Sequence, residues 1–295
     1  MARLDSPQSG GSVGSEGVAA SLAGPRRKLA WANDHIASLD NEIGTFFGGG
    51  GYSFGSDFDQ ETEDHVVTLR ITEEAPLLRW SPMVGDVLHN LRSALDYLIY
   101  QLAIEGSGQD PPPNYRELQF PIFTREDGNR GYDRLAPKQI KGVPGPAQAL
   151  LKTVQPFDDP SDPLWTLREL SNADKHRTLH LTVTYLQSAR VYDANTVGIT
   201  SAASGIGYEH PDTGERIVHV LYDGMELSRQ QFGTPAANRA ADVKVDATFD
   251  VLFDEGTSGV PHEVVTQTLD SLSKAVSDVI DTFEPFLPMP RPNSP

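Results

Sequence analysis

The sequence predicts an α+β fold: a helical bundle of about three long helices, with an antiparallel sheet supplied by the second half of the chain. Two observations predict it. In three widely separated stretches apolar residues recur at alternating spacings of 3 and 4, the period of an amphipathic helix. Across residues 178–255 the period changes to apolar–polar alternation broken by turn signals, the pattern of half-buried strands.

The elements follow in chain order. Residues 1–24 are rich in Gly, Ser and Ala, lack periodicity and read as a disordered tail; residues 25–288 read as one domain, and 289–295 as a second tail. Pro25 suits a first helical turn, and Leu29, Ala32, Ile36, Leu39, Ile43 and Phe46 carry one apolar face up to the glycine run at Gly48–Gly51, so the first helix is expected near 26–47. Asp57–Asp64 is acidic and reads as loop, followed by a strand over His65–Ile71. Ser81-Pro82 has the form of an N-cap and first residue, and the seam Val84, Leu88, Leu91, Leu95, Leu98 and Leu102 predicts a helix over 82–103. Proline and glycine over 106–162 break any long element; short helices are expected near 146–154 and from Pro163 to about Lys175. Alternation at Leu179–Tyr185, around 190–199 and 216–222, and most clearly from Val243 to Phe253, builds the sheet. A last helix over 262–283 carries Val265, Leu269, Leu272, Val276, Val279 and Phe283 and is stopped by Pro285.

Composition narrows the function. A net charge of −17 repels phosphate backbones in bulk, so no extended nucleic-acid groove is expected, although a local basic site is compatible with it. The chain has no cysteine, which excludes disulfides, thiol catalysis and Cys-ligated metals. No apolar run approaches a membrane span, and the N-terminus lacks the charged-then-apolar pattern of a signal peptide, so the expectation is a cytoplasmic protein without membrane partners. The matching helix seams would also serve homo-oligomerisation.

Two polar strings carry the chemistry. The first is His89-Asn90-Leu91-Arg92-Ser93-Ala94-Leu95-Asp96, the second Asn172-Ala173-Asp174-Lys175-His176-Arg177. On a helix, His89, Arg92 and Asp96 project within about 60° of one another, roughly opposite the leucine seam, and share that side with Gly85, Ile99 and Ala103. His89 and Asp96 could act as a general acid–base pair with Arg92 holding an anion; the plain alternative is an Arg92–Asp96 pair one turn apart, worth roughly 0.2–0.5 kcal/mol. Lys175, His176 and Arg177 complement a helix C-terminus, with Asp174 as a cap or local partner.

If the strings meet, His89, Arg92, Asp96, Asp174, His176 and Arg177 form one site. Three uses suit that set: metal-free phosphodiester cleavage with His as acid or base, a His/Asp metal centre activating water, or a purely structural network. No His-Glu-x-x-His pattern, dinucleotide fingerprint, Walker loop or nucleophile elbow is present.

The run from Gly85 to Asp96 resembles a recurring motif of an uncharacterised bacterial protein family, and Phe120-Pro121-Ile122, Gln155-Pro156-Phe157 and Asp174-Lys175-His176-Arg177 resemble its later landmarks, over roughly residues 25–185. That family implies no activity. A looser similarity is to HEPN-type helical domains, several of which are RNases and carry an Arg followed a few residues later by a His; here seven residues separate Arg168 from His176, and His89 precedes Arg92. Two readings follow: a hydrolase acting on a phosphodiester or other anionic substrate, a small anionic ligand or RNA, or a non-catalytic binding or assembly protein whose polar strings are structural. No cofactor is indicated.

Overall fold

A computed structural model describes residues 20–176, 179–185, 190–195, 201–202, 208–209, 216–217, 221–246, 249–254 and 263–287. The helices are α1 (Ala23–Gly48), α2 (Leu77–Ser107), α3 (Tyr132–Gln139), α4 (Gly145–Thr153), α5 (Pro163–His176), α6 (Pro235–Arg239) and α7 (Val265–Phe283). The strands are β1 (Tyr52–Asp59), β2 (Asp64–Ile71), β3 (Leu181–Tyr185), β4 (Arg190–Asp193), β5 (Ser201–Ala202), β6 (Tyr208–Glu209), β7 (Arg216–Ile217), β8 (Glu226–Gln230), β9 (Val243–Asp246) and β10 (Phe249–Phe253).

The architecture is α+β. α2 is the axis of the bundle and packs against α1, α5 and α7, while α7 also meets α1 and α5. The three heptad-like seams are buried together: Leu39 from α1, Val84, Leu91, Leu95 and Leu98 from α2, and Leu269, Val276 and Phe283 from α7 all lie in one core. Ile99 and Ala103, on the stripe that carries His89 and Arg92, are fully buried as well, so α2 is covered on two sides. Gly108 ends α2 in the left-handed conformation at φ 65°, which a glycine adopts without steric cost. Among the described residues no helix is long and apolar enough to cross a membrane.

Among the described residues the strand pairings are all antiparallel, distributed over small sheets ordered β1-β2-β8, β10-β3, β5-β4-β9 and β6-β7. Four expectations need correction. The stretch Asp57–Asp64 is not all loop, because Tyr52–Asp59 pairs residue by residue with Asp64–Ile71. Asp57 and Asp59 therefore lie in a strand and not in an acidic loop. Their side chains stand on the exposed edge, where Asp57 meets Arg70 at 3.3 Å and Asp59 meets Arg229 at 2.8 Å.

The run from Val243 to Phe253 is two strands in two different sheets, β9 against β4 and β10 against β3. The third correction concerns the start of α2, at Leu77 and not at Ser81-Pro82. Pro82 lacks the N–H that would bond the Leu78 carbonyl, and that cost is met by packing: Trp80 is 1% exposed and stands edge-on to Phe46 at 5.7 Å. Ser81 is freed from capping and donates to the Leu179 carbonyl at 2.7 Å, tying α2 to the approach of β3. Finally, the chain is packed from Ala20, with Ala20 and Leu22 in the core, ahead of the expected tail boundary at 24. The expected C-terminal tail, 289–295, lies outside the described residues.

Candidate functional site

α2 and α5 cross in opposite directions. Gly85 of α2 lies under Asp174 near the end of α5, and two turns further along α2, Arg92 feels the charge of Arg168, two turns back along α5. The crossing is close because position 85 has no side chain: a Cβ there would stand 2.7 Å from Asp174 Oδ1. The two polar strings therefore meet at one seam, with Gly85 and His89 facing Asp174, and Arg92 and Asp96 farther along.

Arg92 and Asp96 hold the two backbone polar groups of one residue, Phe120. The Arg92 guanidinium donates to the Phe120 carbonyl, and the Phe120 N–H donates to Asp96 Oδ1 at 2.8 Å; the two side chains lie 3.6 Å apart. This clamp fixes the segment Gln119–Thr124 against α2. Its far end is held by Gln155 Oε1, which accepts the Phe123 N–H at 2.9 Å, and by the Asp158 N–H, which donates to the Thr124 carbonyl at 3.0 Å. Tyr132 then wedges edge-on between Phe123 and Phe157. The Phe120 and Gln155 motifs thus form one wall around the α2–α5 seam.

Between that wall and α5 lies a cavity of about 460 Å³ whose lining includes Arg92, Arg130, Arg168 and Lys175 with Ser171 and Gln139. Among the described residues none that lines it is acidic. Burial pulls the Arg92 guanidinium below its ordinary range; Asp96 opposes the shift and Arg168 adds to it. An arginine does not lose its proton under such a shift, so the physical content is an incompletely compensated buried cation. Arg168 pairs with Glu169 on its own helix, whereas Arg130 and Lys175 make no ion pair among the described residues. Ser171 is 7% exposed, and its buried hydroxyl has no hydrogen-bond partner among the described residues; the same holds for Gln139 Oε1. A concave lining of four cationic side chains, two of them without an ion pair among the described residues, suits an anion.

The six expected site residues separate accordingly. Arg92 lines the cavity, and Asp96 holds its wall in place. His89 is exposed on α2, with Nε2 3.5 Å from Ser93 Oγ. Its carboxylate neighbour is Asp174 and not Asp96, which sits about 10 Å further along the helix axis. Asp174 titrates above its ordinary range, chiefly through desolvation against α2, then through repulsion by Asp86, with His89 opposing. Neither His89 nor Asp174 lines the cavity. His176 is the last residue of α5, its side chain outside the described residues, and Arg177 lies outside them entirely. Among the described residues no group of three or more His, Asp or Glu stands close enough to hold a metal ion.

The three other cationic lining residues were outside the expected set. Arg168 and Lys175 are two turns apart on α5 and share a face with Ser171 and Asn172, a spacing visible in the sequence. Arg130 precedes α3 in irregular chain, where no periodicity points to it. No family model matches the chain, and no curated protein and no solved structure matches it.

Proposed function

We propose that this protein binds a small anionic ligand, carrying a phosphate or comparable oxyanion, in the cavity between α2, α5 and the Gln119–Thr124 wall. The carrying observation is the lining itself: four cationic side chains and no acidic one, in a chain whose net charge is −17. A random patch of so acidic a surface would carry carboxylates. The fixed arginine on α2 supplies a charged donor, and Arg168 and Lys175 approach from the facing helix. The volume suits a small molecule and not a polymer groove.

Hydrolysis of a phosphodiester is a second reading, supported by one feature. His89 lies on the same α2 stripe as Arg92 and within electrostatic range of Asp174, so a scissile bond extending out of the cavity along α2 would approach an imidazole with a carboxylate in its neighbourhood. Binding without chemistry requires no residue beyond the cavity and is the leading reading.

Thermal unfolding with inorganic phosphate, pyrophosphate and a nucleoside monophosphate tests both. Binding raises the melting temperature in the parent and not in an Arg130→Gln/Lys175→Gln variant. A phosphodiester turned over by the parent, and not by His89→Ala of unchanged melting temperature, would establish the second reading. No stabilisation by any phosphate compound would remove both.

A further inference from the structure

A second cavity, of about 740 Å³, lies between α1, β1 and the β9–β10 region, on elements that take no part in the anion site. Its apolar wall is aromatic. Phe249 is face-stacked on Phe54 (centroids 5.3 Å apart, planes at 9°) and on Phe47 (5.4 Å, 23°), and Tyr52 meets Phe249 and Phe47 edge-on. Its polar wall is acidic. Asp40 and Asp250 line it, and the half-buried Asp250 makes no ion pair among the described residues. Lys244, the lone cationic residue of the lining, is already paired with Asp242 at 2.9 Å.

The carboxylates are electrostatically crowded. Asp250 is pushed above its ordinary range by burial and by Asp40, and Asp270 of α7 is pushed up by burial and by the same Asp40. No three acidic side chains are grouped as metal ligands among the described residues. The space itself is kept open by α1. Asp40, Gly44 and Gly48 follow at intervals of four on the face that lines the cavity, and a Cβ at either glycine would meet nothing within 4 Å. Glycine inside a helix costs about 1 kcal/mol relative to alanine, and no packing contact requires it at position 44.

We propose that this cavity is a binding site for an organic ammonium ion with an apolar body. The aromatic wall covers the apolar part of the ligand, Asp250 and Asp40 supply the charge opposite its cation, and Gly44 leaves room for its body. The site is independent of the anion cavity, so either can fail alone.

The test is calorimetric titration of the full chain with benzyltrimethylammonium, with benzenesulfonate and benzyl alcohol as matched anionic and neutral rings. The cation binds saturably and the other two do not. Asp250→Asn weakens it by about tenfold, the scale of one desolvated charge partner. Gly44→Trp fills the space without changing charge or helical geometry and abolishes binding with the melting temperature maintained. Absence of binding by the cation, equal binding of all three rings, or an unchanged isotherm in Gly44→Trp would overturn the proposal. Should Asp250→Asn fail to fold, the ring comparison and Gly44→Trp decide alone.

Discussion

Asp174 stands directly over Gly85: a methyl group at position 85 would come within 2.7 Å of Asp174 Oδ1 and 3.1 Å of Cγ. That contact lays the Asp174 carboxylate against the backbone of α2 and joins the two polar strings. A glycine in the middle of a helix that should prefer alanine is explained by the carboxylate above it. Gly85→Ala is therefore expected to stabilise the protein by about 0.5–1 kcal/mol in an Asp174→Ala background, where helix propensity alone acts, and by distinctly less in the parent. Chemical denaturation of the four members of this cycle measures the coupling; additive effects would contradict the contact.

Asp96 is expected to matter as a hydrogen-bond acceptor more than as a charge. Asp96→Ala leaves the N–H of the fully buried Phe120 without its acceptor and costs about 1–3 kcal/mol. Asp96→Asn keeps an oxygen at that position and costs less than about 1 kcal/mol. The same substitution removes the carboxylate beside Arg92, so anion affinity rises in Asp96→Asn. Equal destabilisation by Ala and Asn in urea melts would show that the clamp is electrostatic instead.

The raised titration of Asp174 has a signed consequence. The folded chain favours the protonated carboxyl, so its contribution to stability is complete below the ordinary value of 3.8 and is lost as pH rises through the higher folded-state value. Replacing it by an uncharged isostere should relieve that loss. The melting temperature of Asp174→Asn minus that of the parent is predicted to be larger at about pH 7 than at about pH 3. The reverse order would mean that attraction to His89 outweighs desolvation.

Gly106, near the end of α2, is a packing constraint of a different kind. A Cβ there would lie 2.1 Å from the Gly142 carbonyl oxygen and 2.9 Å from Pro144 Cδ, atoms of backbone and ring that cannot rotate aside. Gly106→Ala is expected to cost about 1–3 kcal/mol despite its better helix propensity, seen as a lower denaturation midpoint.

The three long helices were legible because each carries an unbroken seam whose residues all reach one core. What the sequence could not show were the places where tertiary contacts outweigh local preference. β1 contains Ser53, Gly55, Ser56, Asp57 and Asp59, a poor strand by composition, and is held by its full-length pairing with β2. The second turn of α2 runs through a proline because Trp80 has a buried place to go. The candidate site divides in the same way. Arg92 and Asp96 stood out by type and spacing, and Arg168 and Lys175 share a helical face. That Asp96 would serve a backbone N–H, and that Arg130 would arrive from irregular chain, depends on the path of residues 119–130 through space.

Calorimetric titration of inorganic pyrophosphate into the full chain, beside Arg168→Gln and Lys175→Gln, tests the anion cavity most directly. Saturable binding to one site in the parent, weakened about tenfold or more in each variant and falling with ionic strength, is the predicted result. Absence of binding heat in the parent, or isotherms that the two substitutions leave unchanged, would contradict it.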